Sequence, residues 1–144
     1  MHKIKLTPFE TEVLESILWQ LKGFKEGFVT DRVTRRILRA TLRRLKPCLI
    51  GHSVNAVNSK QVEIDHAVPL KEVVAMLMEL DNLSSVELID LLNKYLVSVQ
   101  LTPREHRVVL KDHGVSSSMP DNWDGDDALA RYKKAGIEIT KTYP

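Results

Sequence analysis

A chain of 144 residues, 43% hydrophobic and 28% charged, has the length of one folded domain with a small appendage. No apolar run approaches the ~20 residues that span a bilayer, and the opening Met-His-Lys-Ile-Lys-Leu-Thr-Pro has no apolar stretch behind its charges, which speaks against a secretory leader. Cys48 stands alone, which excludes an internal disulfide and a Cys-rich structural zinc site and leaves a reducing, cytoplasmic setting as the default. The net charge of +2 conceals a division: residues 1–60 carry twelve Lys/Arg against five Asp/Glu, the remainder nine against fourteen. A basic half joined to an acidic half points mildly to a polyanionic partner.

Taken in order, the first helix opens at Thr7-Pro8-x-Glu10, an N-cap, a first-turn proline and a capping-box glutamate. Val13, Leu14, Ile17, Leu18 and Leu21 continue it with helical period, and Gly23 is expected to end it. Trp19 is expected in the core. A second helix starts near Thr30 or Asp31 and is expected to run to Lys46, before Pro47, on the apolar positions Val33, Ile37, Leu38, Leu42 and Leu45. Arg32, Arg36, Arg39 and Arg43 fall on one face of it, and Arg35, Arg44 and Lys46 widen the stripe. No carboxylate follows Asp31 inside the helix to neutralise them at i+4. Such a stripe is either a solvated face or a row of phosphate contacts, and the second reading is favoured.

Residues 51–60 read as a polar loop, Gln61–Val68 as a strand closed by Pro69, and about 70–80 and 84–95 as two short helices. Leu96–Thr102 reads as a second strand. Thr102-Pro103-Arg104-Glu105 opens a helix that carries His106 and ends at Gly114. Ser116–Pro120 is linker-like, and Asp127–Ala135 is a last helical segment ended by Gly136. Trp123 is expected to pin this tail to the domain.

Two segments carry the chemistry. Glu63-Ile64-Asp65-His66-Ala67-Val68-Pro69-Leu70 places an acidic residue before a histidine at the end of a strand. Leu96 to His106 is a hydrophobic strand, a turn and a helical histidine. Over residues 61–113 this order resembles the HNH, or His-Me finger, endonucleases. The resemblance implies an α+β fold: a ββα-metal finger (61–113) with a helical insertion, preceded by a basic helical part (1–50) and followed by a short helical tail (114–144). It implies hydrolysis of DNA, giving 5′-phosphate and 3′-hydroxyl ends, with His66 as general base and Asp65 and His106 holding one divalent ion. A carboxylate, one imidazole and open water positions suit Mg²⁺ or Mn²⁺. Adjacent strand residues point to opposite faces, so Asp65 and His66 can serve the ion and the water separately only where the strand twists or ends. The family's middle Asn falls in register at Val97, with Asn93 and Asn82 nearest, and two helices stand where a short loop is usual.

Around this core, His113 is an additional ligand or, more simply, a partner for the helix C-terminus. Arg104 and Arg107 flank His106 and are either phosphate contacts or surface charge. The arginines of the second helix (Arg32, Arg35, Arg36, Arg39 and Arg43) are the expected contacts to double-stranded DNA. A homodimer would supply one centre per strand. Two other classes compete: a nucleic-acid-binding module without catalysis, which keeps the arginine dependence but has no metal requirement, and an interaction protein whose basic helix docks an acidic partner. The sequence selects neither a target site nor a homing, phage-encoded or restriction role.

Overall fold

The computed structural model describes residues 6–142. Of the opening stretch weighed as a leader, residues 1–5 lie outside it. Among the described residues the fold is α+β, with six helices and a four-stranded mixed sheet. The helices are α1 (Pro8–Lys25), α2 (Asp31–Leu42), α3 (Leu70–Met78), α4 (Ser85–Tyr95), α5 (residues 103–112) and α6 (Ala130–Ala135). The strands are β1 (Cys48–Ser53), β2 (Glu63–His66), β3 (Val97–Leu101) and β4 (Ile139–Lys141). Their spatial order is β2-β3-β1-β4, with β2/β3 and β1/β4 antiparallel and β3/β1 parallel.

The local signals act where the sequence puts them. Glu10 N–H donates to Thr7 Oγ1 (3.3 Å) and Thr7 N–H to the Glu10 carboxylate (2.7 Å), closing the capping box of α1. Thr102 and Glu105 repeat the device at the start of α5, at 2.9 and 3.1 Å. Each satisfies amide donors that a helix start leaves open.

The apolar side chains form two clusters. One joins α1, α2, α3 and α4, with Ile17, Leu21, Leu38, Leu42, Leu77, Leu88 and Leu92 excluded from solvent. The other joins β1, β3, α5 and α6 around Val99, Leu101, Leu110 and Tyr132. Burying each Leu or Ile contributes roughly 1.5–3 kcal/mol. The chain crosses from one cluster to the other between Ala67, in the sheet cluster, and Val68, in the helical one. That crossing comes immediately after Asp65 and His66.

Several expectations are corrected. α1 runs past Gly23 to Lys25, and Trp19 is 71% exposed rather than in the core, with Lys22 Nζ 5.3 Å from its ring centroid. α2 ends at Leu42, not Lys46. Thr34 takes the buried place on α2, while Val33 and Ile37 are exposed, because its hydroxyl can donate to the Thr30 carbonyl (2.7 Å) and so tolerates burial. The stretch read as a loop from residue 51 is the end of β1 followed by a 3₁₀ turn (Val54–Asn58). The strand read over 61–68 is Glu63–His66, with Ala67 N–H still donating to the Val97 carbonyl (2.9 Å), and the tail adds β4 beyond its helix. Gly51 admits the last pairing: a Cβ there would lie 2.6 Å from the Thr140 carbonyl oxygen. Trp123 does fasten the tail, donating to the Asp127 carbonyl (2.9 Å) and meeting Tyr95 edge-on. No helix among the described residues is long and apolar enough to cross a membrane.

Candidate functional site

β2 ends at His66, so the alternation of strand side chains is released where it would separate the two residues. Glu63 and Asp65 share the face that α5 covers, and both meet His106 there. His106 Nδ1 lies 2.6 Å from Glu63 Oε1, and its Nε2 lies 3.3 Å from Asp65 Oδ1. A carboxylate can only accept, so Nδ1 carries a proton. Nε2 faces a second acceptor, Asp65 Oδ1, and the juxtaposition calls for a cation between them, either a second ring proton or a metal ion.

His106 and Arg107 sit on the widened π turn of α5 (Glu105–Val109), in which Leu110 N–H donates to the Glu105 carbonyl five residues back. Arg107 Nη2 reaches the other oxygen of Glu63 at 2.5 Å. The hydrogen bonds from His106 and then Arg107 hold the Glu63 carboxyl below its ordinary pKa. Glu105, the neighbour on the turn, is buried and anchors α5 to the end of β1 by accepting from Ser53 Oγ at 2.6 Å.

Asp65 is buried. Its Oδ2 accepts from Arg131 Nη1 (2.8 Å) and from the Tyr132 hydroxyl (2.6 Å), both on α6. Arg131 is 1% exposed and also donates to the carbonyls of His66, Val115 and Ser116, at 2.7–2.8 Å. Burial first, and Asp65 next, push the Tyr132 phenol well above its ordinary pKa, so it stays a donor.

His66 is half-buried, and its Nδ1 is inaccessible and without a partner. Burial lowers its pKa below 6.5; the Asp65 charge opposes this, while Arg131 and Arg43 reinforce it. The ring is therefore neutral at pH 7.

Asp65, His66, His106 and Arg131 line one open cleft of about 450 Å³ at the seam between the two clusters, together with Arg39, Arg43, Ser116 and Ser117. The basic helix, the strand end and the helical histidine thus meet although they lie far apart in sequence. The other arginines divide. Arg35 pairs with Asp31 at 2.6 Å, a correction to the unneutralised stripe, while Arg32 and Arg36 are exposed and do not line the cleft. Arg104 is exposed. His113 has its Nδ1 2.9 Å from the Val109 carbonyl and serves the end of α5. Asn93 lines a separate cleft with Lys94, Asp126 and Lys141, and Val97 is buried, so neither enters the site.

Sequence reasoning missed three participants: Glu63, Arg131 and Tyr132. Glu63 was visible as the i−2 neighbour of Asp65 on the same strand face. Nothing local marks Arg131 or Tyr132. No family model matches the chain, and neither a curated protein nor a solved structure matches it.

Whether a divalent ion suits this site follows from the donor set. Asp65 Oδ1 and His106 Nε2 stand at the separation of neighbouring ligands on an octahedral ion, about 3 Å for bonds of about 2.1 Å. Glu63 behind His106 is the carboxylate that orients a ligating imidazole. Among the described residues no group of three His, Cys, Asp or Glu side chains is placed to hold a metal ion. Asp65 and His106 could therefore supply only two ligands of an ion such as Mg²⁺ or Mn²⁺, the others coming from water and phosphate oxygens. The residues fit the ion.

Proposed function

We propose that this chain is a metal-dependent DNA endonuclease of the His-Me finger type, with β2, β3 and α5 as its ββα-metal finger and α3 and α4 as an insertion. The observation that carries the reading is the single cleft in which Asp65, His66 and His106 face Arg39 and Arg43.

His66 acts as the general base. A ring held neutral has its lone pair ready to take a proton from an attacking water. Asp65 and His106 would hold one Mg²⁺ or Mn²⁺, and Glu63, by keeping a proton on His106 Nδ1, would leave Nε2 free to ligate. When bound, the ion neutralises charge on the scissile phosphate and on the leaving oxygen. Arg39 and Arg43 bind phosphates of the backbone, adding a salt-dependent increment to affinity. Two copies of the chain would supply a centre for each strand of a duplex.

One observation favours a second reading. Asp65 is half committed to Arg131 and Tyr132, as a structural carboxylate would be, and the arginine helix would then serve a non-catalytic DNA-binding module. Plasmid DNA incubated with the protein, with and without Mg²⁺ or Mn²⁺, decides between them on a gel. Metal-dependent conversion of supercoiled to nicked or linear DNA is expected. A metal-independent mobility shift without cleavage selects the binding module, and no shift at low salt removes DNA as the partner.

A further inference from the structure

Resting on the reading of Asp65 as a metal ligand, we propose that Arg131 and Tyr132 are positioning residues that make it a one-oxygen ligand and thereby select Mg²⁺ or Mn²⁺ over Ca²⁺. Asp65 Oδ2 is held from the protein interior by two donors, the Arg131 guanidinium at 2.8 Å and the Tyr132 hydroxyl at 2.6 Å. Oδ1 alone is turned toward His106 Nε2. Both clamping side chains are almost wholly buried and bonded to Asp65 Oδ2, so they act through Asp65.

The clamp is held in place because each of the three nitrogens of the Arg131 guanidinium is fixed by a hydrogen bond. Its Nε and Nη2 go to the Val115 and Ser116 carbonyls, and Nη1 also reaches the His66 carbonyl. Turning Asp65 to offer both oxygens would strip Tyr132 and Arg131 of a buried acceptor, which is costly. Ca²⁺ takes 6–8 oxygens at about 2.3–2.6 Å and commonly claims both oxygens of a carboxylate, whereas Mg²⁺ takes six ligands at about 2.0–2.1 Å and single carboxylate oxygens suffice. A carboxylate locked to one oxygen penalises the larger ion.

The test uses the full chain and the metals alone. Mn²⁺ binding is followed by electron paramagnetic resonance, Ca²⁺ is added as competitor, and Asp65→Asn establishes that the signal belongs to this site. In Tyr132→Phe, which keeps the ring and removes one donor from Oδ2, Ca²⁺ is expected to compete roughly fivefold better relative to Mn²⁺, the worth of one hydrogen bond. An unchanged Ca²⁺/Mn²⁺ ratio in the folded variant overturns the clamp. Should the variant not fold, infrared difference spectra of the wild-type protein decide. Adding Mn²⁺ should widen the splitting of the Asp65 carboxylate stretches, the mark of one-oxygen ligation, and a narrowed splitting refutes the proposal. If the wild-type chain binds no Mn²⁺, the ligand reading itself falls and this inference with it.

Discussion

Asp65 and Arg131, 66 residues apart in sequence, meet at 2.8 Å on the buried side of the cleft. The pair joins the strand that ends at the cleft to the helix of the C-terminal segment. It also makes the candidate ligand part of the structure, so a change at Asp65 alters folding as well as any metal chemistry.

The first expectation follows from that pairing. Arg131→Met leaves the Asp65 carboxylate buried without its counter-charge and opens the carbonyls of His66, Val115 and Ser116. The loss should be on the order of 3–5 kcal/mol, read as a lower urea midpoint. Adding Asp65→Leu to Arg131→Met should recover part of it, because two apolar groups replace a pair rather than breaking one. Near-native stability of the single variant would show that the guanidinium is dispensable.

Much of this arrangement could be read in advance, and the reason lies in range. Thr7, Glu10, Thr102 and Glu105 act on amides within a turn, so their helix starts are written in adjacent residues. Asp65 and His66 at a strand end and His106 near a helix start were placed by local signals, and the structure brings the three to one cleft. β1 and β4 were not legible: three-residue β4 exists only because Gly51, some ninety positions earlier, lets it approach. Arg131 reads as one more cation on a short helix, and only the assembled fold turns it inward. Trp19 misled for the opposite reason, since helical spacing does not distinguish a core tryptophan from one beside the stripe.

His66→Ala should lower the rate of DNA cleavage on the order of 10²-fold or more while leaving DNA affinity nearly unchanged. The pH dependence carries a sign. Because burial lowers the folded pKa of His66 below 6.5, the active neutral ring persists into mildly acidic solution, and the acid limb of kcat/KM should bend below pH 6.5. Stability follows the same direction: the unfolded chain binds the extra proton first, so this contribution is complete above about pH 6.5 and is lost as pH falls through the folded pKa. A limb centred above 6.5, or unaltered in the variant, would assign the base elsewhere.

Glu63→Gln tests the orientation of His106. The amide cannot anchor the Nδ1 proton as a carboxylate does, and Arg107 loses its partner as well. Metal affinity, measured by calorimetric titration of Mn²⁺, should fall by about 10- to 100-fold, as for other partners behind a ligating imidazole. The substitution lies at the exposed edge of the site, so the thermal transition should move far less than for Arg131→Met. Unchanged affinity would detach Glu63 from the centre.

The arginine helix gives the sharpest electrostatic expectation, because the structure separates its members. Arg39 and Arg43 line the cleft, Arg32 and Arg36 stand apart from it, and Arg35 is paired with Asp31. Each phosphate contact removed should flatten the plot of log affinity against log salt by roughly 0.9. Gln preserves length and helix propensity while deleting the charge. Arg39→Gln with Arg43→Gln should therefore fold as the wild type does, bind duplex DNA more weakly at low salt, and lower the slope by about 1.8. Arg35→Gln should change the slope much less, since Asp31 already neutralises that charge. Arg43→Gln also removes a cation that depresses the His66 pKa, so the acid limb should move upward in the same variant. Weaker binding at an unchanged slope would point to lost packing. If neither affinity nor slope moved, the stripe would be a solvated face and the cleft would hold its ligand by other groups, Ser116 and Ser117 first among them.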